Sequence, residues 1–203
     1  MKTVKGGKIN IGLLSMAIFA VLFAGSCKSS SGFDILGPVD ETSEAAKIVA
    51  DANQDLTKIK ILYKENEGKR EEIKKAMSED DAAAVKKIAD DVVYIINDGA
   101  DFGKSAIDKL AKAEDMQINP DYKEYLRLKE EALKKQLAAF DNYRQAARSL
   151  RDNYDPKNTQ LREKVKVEFK ERSENYQKIM ESARDLSNRA NELAKDALKK
   201  QQN

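Results

Sequence analysis

The chain has 203 residues, of which 37 are Lys or Arg, 35 are Asp or Glu and none is His. Three of the basic residues precede Cys27, so the remaining chain carries 34 basic against 35 acidic residues, with no positive excess for binding nucleic acid or an anionic membrane surface. Without histidine the chain lacks the commonest general base and metal ligand, and it has no glycine-rich phosphate loop. We therefore predict no catalytic residue, no metal site and no cofactor.

The N-terminal segment has the pattern of a secretory signal peptide. Three lysines lie before an apolar run over residues 9–24, and Gly25 and Ser26 lead from that run to Cys27. A basic head, a short apolar run and a small-residue exit are typical of such signals. The run is shorter than the roughly 20 apolar residues of a membrane-spanning helix. The sequence therefore predicts a signal peptide over residues 1–26.

The ending of this signal at a lone cysteine resembles the lipobox of bacterial lipoproteins. The resemblance implies that the chain is cut between Ser26 and Cys27 and that the Cys27 thiol carries a diacylglyceryl group. Ala24 departs from the family pattern, which usually has Leu there. An exported chain with one thiol cannot form an internal disulfide, which favours lipidation. The alternative is an ordinary signal peptide followed by an incidental free cysteine.

Residues 28–40 are rich in Ser, Gly and Pro and lack a periodic pattern, which is typical of a tether. Fully extended, this segment would span about 45 Å at ~3.5 Å per residue. We therefore divide the chain into a signal peptide (1–26), a lipidated cysteine with its tether (27–40) and a helical domain (41–203) that stays close to the membrane.

The helical pattern of the domain begins at Glu41. Apolar residues recur at steps of three and four from Ala45 to Met77, with a polar gap at Asn66 and Arg70. A second helix is predicted to begin near Ser78, because residues 78–81 approximate a capping box. Two glycines, Gly99 and Gly103, weaken its middle and could break it in two.

Two Asx-Pro pairs predict the start of the third and fourth helices. These pairs are Asn119-Pro120 and Asp155-Pro156, in which Asn or Asp caps the helix and proline fits its first turn. The apolar stripe of the fourth helix runs from Leu161 to Ala197 and includes Leu186.

Each of the four helices has one narrow apolar stripe that it cannot bury alone, and the turns between them are short. The pattern therefore predicts an all-α fold: an elongated antiparallel bundle of about four long helices with coiled-coil-like packing.

Tyrosines and turns are the candidate contact residues. Tyr122, Tyr143 and Tyr176 fall on the apolar stripes, which predicts packing, whereas Tyr125 and Tyr154 lie off the stripe or at its end and are better candidates for binding. Turns held by a rigid scaffold are also common recognition sites. Those predicted here cover residues 97–101, 116–119 and 151–159.

The lipobox-like leader, the Ser-rich tether, the histidine-free helical body and the excess of Lys over Arg resemble the surface lipoproteins of Borrelia-type spirochaetes. Within that group the chain is most similar to the helical factor H-binding lipoproteins of relapsing-fever Borrelia. The resemblance implies a protein of the outer surface that captures host factor H, with plasminogen as a second ligand, and so suppresses complement attack. It provides no motif for individual positions, so the partner-binding residues remain unknown.

Two further classes fit the same pattern. One is a structural periplasmic lipoprotein whose bundle acts as a spacer or assembles with itself as a homo-oligomer. The other is an adhesin for host matrix components, for which the paired lysines Lys134-Lys135 and Lys199-Lys200 form modest basic clusters.

Overall fold

The computed structural model describes residues 40–202, with side chains for residues 40–196. This part of the chain forms four α-helices and no strand: α1 (Thr42–Ser78), α2 (Ala82–Glu114), α3 (Pro120–Asn153) and α4 (Thr159–Gln202). At 1.5 Å per residue the helices are about 50 to 66 Å long. The predicted all-α bundle of four long helices is confirmed, while coiled-coil-like packing stays a prediction. The predicted signal peptide, the cleavage site between Ser26 and Cys27, and the tether up to residue 39 lie outside the described residues.

The starts of α2 and α3 are set by side-chain caps. Asn119 caps α3 as predicted: its Oδ1 accepts a hydrogen bond from the Asp121 N–H, and Pro120 occupies the first turn. The predicted start of α2 near Ser78 is wrong, because α1 continues to Ser78. The cap of α2 is Asp81, whose Oδ1 accepts the Ala84 N–H at 3.0 Å.

The start of α4 is also later than predicted. Asp155 and Pro156 form a tight turn in which the Asp155 Oδ1 accepts the Lys157 N–H and the Asp155 carbonyl accepts the Asn158 N–H. The Asn158 side chain then accepts the Leu161 N–H at 3.0 Å. The helix therefore begins at Thr159, because the first Asx residue closes a turn and the second one acts as the cap.

Helix α2 runs unbroken through both of its glycines, so the predicted turn at residues 97–101 is wrong. Gly99 and Gly103 are buried on its packed face. A Cβ atom at Gly103 would lie 2.4 Å from the Leu137 Cδ2 of α3. This glycine therefore permits close approach of two helices instead of ending one.

The apolar stripes form the core much as predicted. Asp55 and Asn66 of α1 are buried with them, at 6% and 1% exposure, while Leu186 is only partly buried. Many of the buried residues are alanines, which allow helices to approach closely. The largest fully buried apolar and aromatic side chains are Tyr143, Tyr154, Tyr176, Ile73, Leu126, Leu150, Val85 and Val92.

Consecutive helices are packed neighbours, but the bundle is open on one side. Within residues 40–202 no Cα atom of α1 comes within 8 Å of one in α4, whereas α1–α2, α2–α3 and α3–α4 all make such approaches. The two outer helices meet only through long side chains: the Arg70 guanidinium of α1 lies 5.2 Å from the ring centroid of Tyr176 in α4.

The bundle has two distinct ends. At the end that we call the base, the chain enters α1 beside the α2–α3 turn: the Glu41 N–H donates to the Gln117 carbonyl, and the Gln117 N–H donates to the Glu41 Oε2. The opposite end, the tip, carries the α1–α2 turn (residues 79–81) and the α3–α4 turn (residues 154–158). The two ends are separated by the length of α1, about 55 Å.

Candidate binding groove

The tyrosines expected to bind a partner are placed differently by the fold. Tyr154 is fully buried, and its hydroxyl donates to the Asp80 Oδ1 at 2.9 Å, so its prediction as an exposed contact residue is wrong. It lies off the helical stripe but is covered by the α1–α2 turn. Tyr125 is half-buried and stacks on Tyr122, with 6.0 Å between ring centroids. Tyr143 and Tyr176 belong to the core as predicted.

A groove lies on the open side of the bundle, close to the tip. We call it the α1–α4 groove. Its volume is about 250 Å³. It is lined from α1 by Arg70, Lys74 and Met77 and from α4 by Lys166, Phe169, Lys170, Ser173, Glu174 and Gln177.

The charge of this groove is predominantly positive. Four basic residues line it and Glu174 is the acidic one. Two of the four are offset by nearby carboxylates: the Lys74 Nζ lies 2.8 Å from Glu71, and the Lys166 Nζ lies 3.3 Å from Asp80. Among residues 40–196, Arg70 and Lys170 form no ion pair. The groove therefore carries two positive charges without a carboxylate of the described residues at contact distance, while Arg70 interacts electrostatically with the neighbouring Glu71.

Arg70 is held in place by aromatic rings. Its guanidinium carbon lies 5.6 Å from the ring centroid of Tyr143 and 5.2 Å from that of Tyr176. Such cation–π contacts orient the planar guanidinium without using up its five N–H donors. Further rings extend this support, since the centroids of Tyr143 and Phe169 are 5.9 Å apart.

Unpaired polar atoms lie in the same region. The Ser173 Oγ in the groove wall and the Tyr143 hydroxyl beneath Arg70 are buried and have no hydrogen-bond partner among the described residues. Burial raises the pKa of the Tyr143 hydroxyl, which keeps it neutral. A buried polar group without a partner is uncommon in folded proteins, and each such group requires an explanation.

A cluster around Asp80 lies at the tip and includes Lys166 of the groove. Asp80 adopts a left-handed backbone conformation (φ 53°), and its carboxylate accepts the Tyr154 hydroxyl and pairs with Arg162 and Lys166 of α4. The hydrogen bond from Tyr154 and the two positive charges hold the pKa of Asp80 below its usual range. The α1–α2 turn is thereby fastened to the start of α4, which fixes the position of Lys166.

The groove was not predicted from the sequence, although the polar gap on its α1 side was recognised. The polar gap in the stripe of α1 contains Arg70, and the stripe of α4 has a matching gap between Phe169 and Tyr176, where Ser173 lies. The fold brings these two gaps together. Of the predicted turns, residues 151–159 lie at the tip and residues 116–119 lie at the base.

In the part of the chain with described side chains, no group of three His, Cys, Asp or Glu residues is arranged to hold a metal ion. None of the four helices, over their described length, is apolar enough to span a membrane.

Comparison with protein families, with curated proteins and with solved structures finds no match to this chain. The fold and the site define an all-α bundle that is open between its first and last helices and has a basic groove near one end.

Proposed function

We propose that this protein is a lipid-anchored component of the bacterial outer surface that acts by binding a host protein, with the complement regulator factor H as the leading ligand. The observation that carries the proposal is the sequence ahead of the bundle, where a basic and apolar leader ends at the lone Cys27. Helix α1 begins at the base only 15 residues later, at Thr42. An acylated Cys27 would thus hold the base near the membrane and the tip away from it.

The surface of the bundle suits a binding role without turnover. The groove combines basic side chains with the apolar Met77 and Phe169, which is a combination that recognises another macromolecule. A specific protein interface buries roughly 800 Å² on each partner. Helices about 50 Å or more in length provide that area on one side of the bundle.

The anchor is tested by mass spectrometry of the protein purified from its native membrane. We expect the mature chain to begin at Cys27 and to carry the mass of a diacylglyceryl group and an N-terminal acyl chain. Cys27→Ala should release the protein from the membrane fraction. An unmodified thiol at Cys27 in the native protein would contradict the proposal.

The ligand is tested by a serum pull-down at physiological salt with immobilised residues 28–203, whose helical content is first verified by circular dichroism. We expect factor H to be retained and an unrelated helical protein on the same resin to retain none. Protease treatment of intact cells separates this function from that of a periplasmic spacer, because only an outer-surface protein is degraded. A fraction without factor H would exclude the leading ligand.

A further inference from the structure

We propose that the α1–α4 groove receives an acidic segment of a partner protein, in which a carboxylate meets Arg70 and Lys170 and a neighbouring apolar side chain packs on Met77. This inference rests on the proposed function, since it names the surface and the chemistry of the partner for a protein that acts by binding. It assigns binding roles to residues that have no evident role in stabilising the fold by ion pairing.

Arg70 provides the first step of the argument. A guanidinium usually engages a carboxylate in a two-pronged arrangement, and such charge-assisted hydrogen bonds are about twice as strong as neutral ones. Here the rings of Tyr143 and Tyr176 orient the group, yet none of the described carboxylates pairs with it. Because its orientation is already restricted, a carboxylate from outside would bind with a smaller loss of side-chain entropy.

Lys170 provides the second positive charge on the opposite wall. It lies on α4 one turn after Lys166, and the two side chains and Arg70 line the same concavity. Glu174, the acidic residue of the groove, repels an acidic partner but is outnumbered by Arg70 and Lys170, the two basic residues without an ion pair among residues 40–196. The charge pattern therefore favours an acidic occupant over a basic one.

The floor of the groove favours a protein segment over a sulfated polysaccharide. Met77 is partly exposed and Phe169, only 4% exposed, lies beneath it as part of the core, so Met77 provides most of the apolar surface. A polysaccharide chain would leave this surface poorly covered, whereas an aliphatic or aromatic side chain would cover it well. The volume of about 250 Å³ is smaller than the roughly 300–1,000 Å³ of small-molecule pockets. It is suited to one or two inserted side chains.

The position of the groove agrees with such a role. Arg70, Lys74 and Met77 lie in the last turns of α1, next to the tip and far from the base where the tether enters. An anchored molecule would therefore present the groove on the side that faces away from the membrane.

The test is selection of short random peptides displayed on phage against the full chain in non-ionic detergent. We expect enriched peptides to contain Asp or Glu next to a large apolar residue. Their affinity, measured by fluorescence anisotropy, should fall roughly tenfold or more for Lys170→Glu and for Arg70→Gln. The matched control is Lys164→Glu, an exposed lysine on the same helix that does not line the groove, and it should change the affinity by less than about twofold.

Arg70 packs on core rings, so Arg70→Gln also removes a packing contact. The decisive variant is therefore Lys170→Glu, which changes an exposed residue. Melting curves verify that both variants are folded. Peptides without acidic residues, or peptides that bind the Lys170→Glu variant unchanged, would overturn the inference. So would a heparin oligosaccharide that binds through Lys170 when no acidic peptide is enriched.

The same variants distinguish the two proposals. A serum protein retained equally by the unchanged chain and by Lys170→Glu would overturn the groove assignment and leave the proposed function standing. If acidic peptides bind at the groove and no factor H is retained, the groove assignment stands and factor H is excluded as the ligand.

Discussion

Asp55 is a buried carboxylate with a complete set of partners. It is 6% exposed, the Lys109 Nζ and the Ser105 Oγ lie 2.6 and 2.8 Å from its Oδ2, and Lys58 lies 3.7 Å from its Oδ1. The hydrogen bond from Lys109 holds the pKa of Asp55 below its ordinary value of 3.8, although burial opposes this shift. The group joins α1 to α2 in the interior of the bundle.

We predict that the contribution of Asp55 to the free energy of unfolding decreases at acidic pH. Because its pKa is lowered in the folded state, the contribution is present above the ordinary value of 3.8 and is lost as the pH falls below it. Asp55→Asn should lower the free energy of unfolding at pH 7 by about 1.5–3 kcal/mol, the range for hydrogen bonds to charged groups. Urea denaturation at neutral pH and at a pH below the ordinary pKa should show the difference from the unchanged chain shrinking in acid.

The control for this prediction is Asp51→Asn, which removes an exposed carboxylate one turn earlier on α1. It should have little effect at either pH. A gap between Asp55→Asn and the unchanged chain that stays constant or widens in acid would contradict the assigned role.

At the scale of the helices, the glycines differ in what surrounds them. A Cβ atom added at Gly68 in α1 would have no neighbouring atom within 4 Å. At Gly99 the nearest atom to an added Cβ is the Leu62 Cδ1 at 3.7 Å, which is an ordinary contact. At Gly103 the Cδ2 of Leu137 would lie at 2.4 Å and its Cγ at 3.0 Å. The first two glycines only weaken their helices, whereas the third provides space for α3.

We therefore predict that alanine stabilises the protein at Gly68 and Gly99 but not at Gly103. Gly68→Ala and Gly99→Ala should raise the free energy of unfolding by about 1 kcal/mol, because alanine favours a helix interior by that amount. Gly103→Ala should lower it or leave it unchanged, since overpacking costs about 1–3 kcal/mol and offsets the same gain. Thermal melts followed by circular dichroism rank the three variants, and Gly103→Ala as stable as Gly68→Ala would show that Leu137 yields without cost.

At the scale of the whole molecule, base and tip are distinguished by the entry of the chain. Glu41 is fixed to Gln117 at the base, while the turns at residues 79–81 and 154–158 lie about 55 Å away. If Cys27 is acylated, the chain has no other thiol. A single introduced cysteine then reports the accessibility of either end.

We predict that Lys157→Cys at the tip reacts with a bulky maleimide on intact cells several-fold faster than Asp115→Cys at the base. Both residues are exposed in the isolated bundle, so the difference would come from the membrane and its surface layer. Labelling in detergent, where the rates should become similar, is the control. Equal rates on cells would contradict the proposed orientation, and no labelling before the envelope is opened would indicate a periplasmic protein.

Local sequence signals predicted most of the fold but placed several boundaries wrongly. The Asn119-Pro120 start of α3 was correct, because one residue caps the helix and the next fits its first turn. Asp155-Pro156 was misleading, since Asx residues close turns as readily as they cap helices and Asn158 competed for the same role. Gly99 and Gly103 suggested a break because helix propensity ignores packing, and packing against neighbouring helices outweighs it.

The candidate site was less predictable. Its two halves are separated by about 100 residues of sequence, and nothing in the apolar stripes indicates that α1 and α4 would leave a gap between them. Tyr154 shows the same limit, because it lies off the stripe of α3 and is buried by a turn that belongs to the other half of the bundle.

The sequence by itself determined that the chain forms long amphipathic helices joined by short turns, and it predicts a signal peptide over residues 1–26, directly before Cys27. These properties depend on the identity and spacing of residues that are close in sequence, and such local patterns are recognised from helical periodicity and capping residues. Only the tertiary structure decided that the bundle is open between α1 and α4 and that Arg70, Lys170 and Ser173 share one concavity. Those features depend on which helix faces meet, and this is set by the packing of all four helices together.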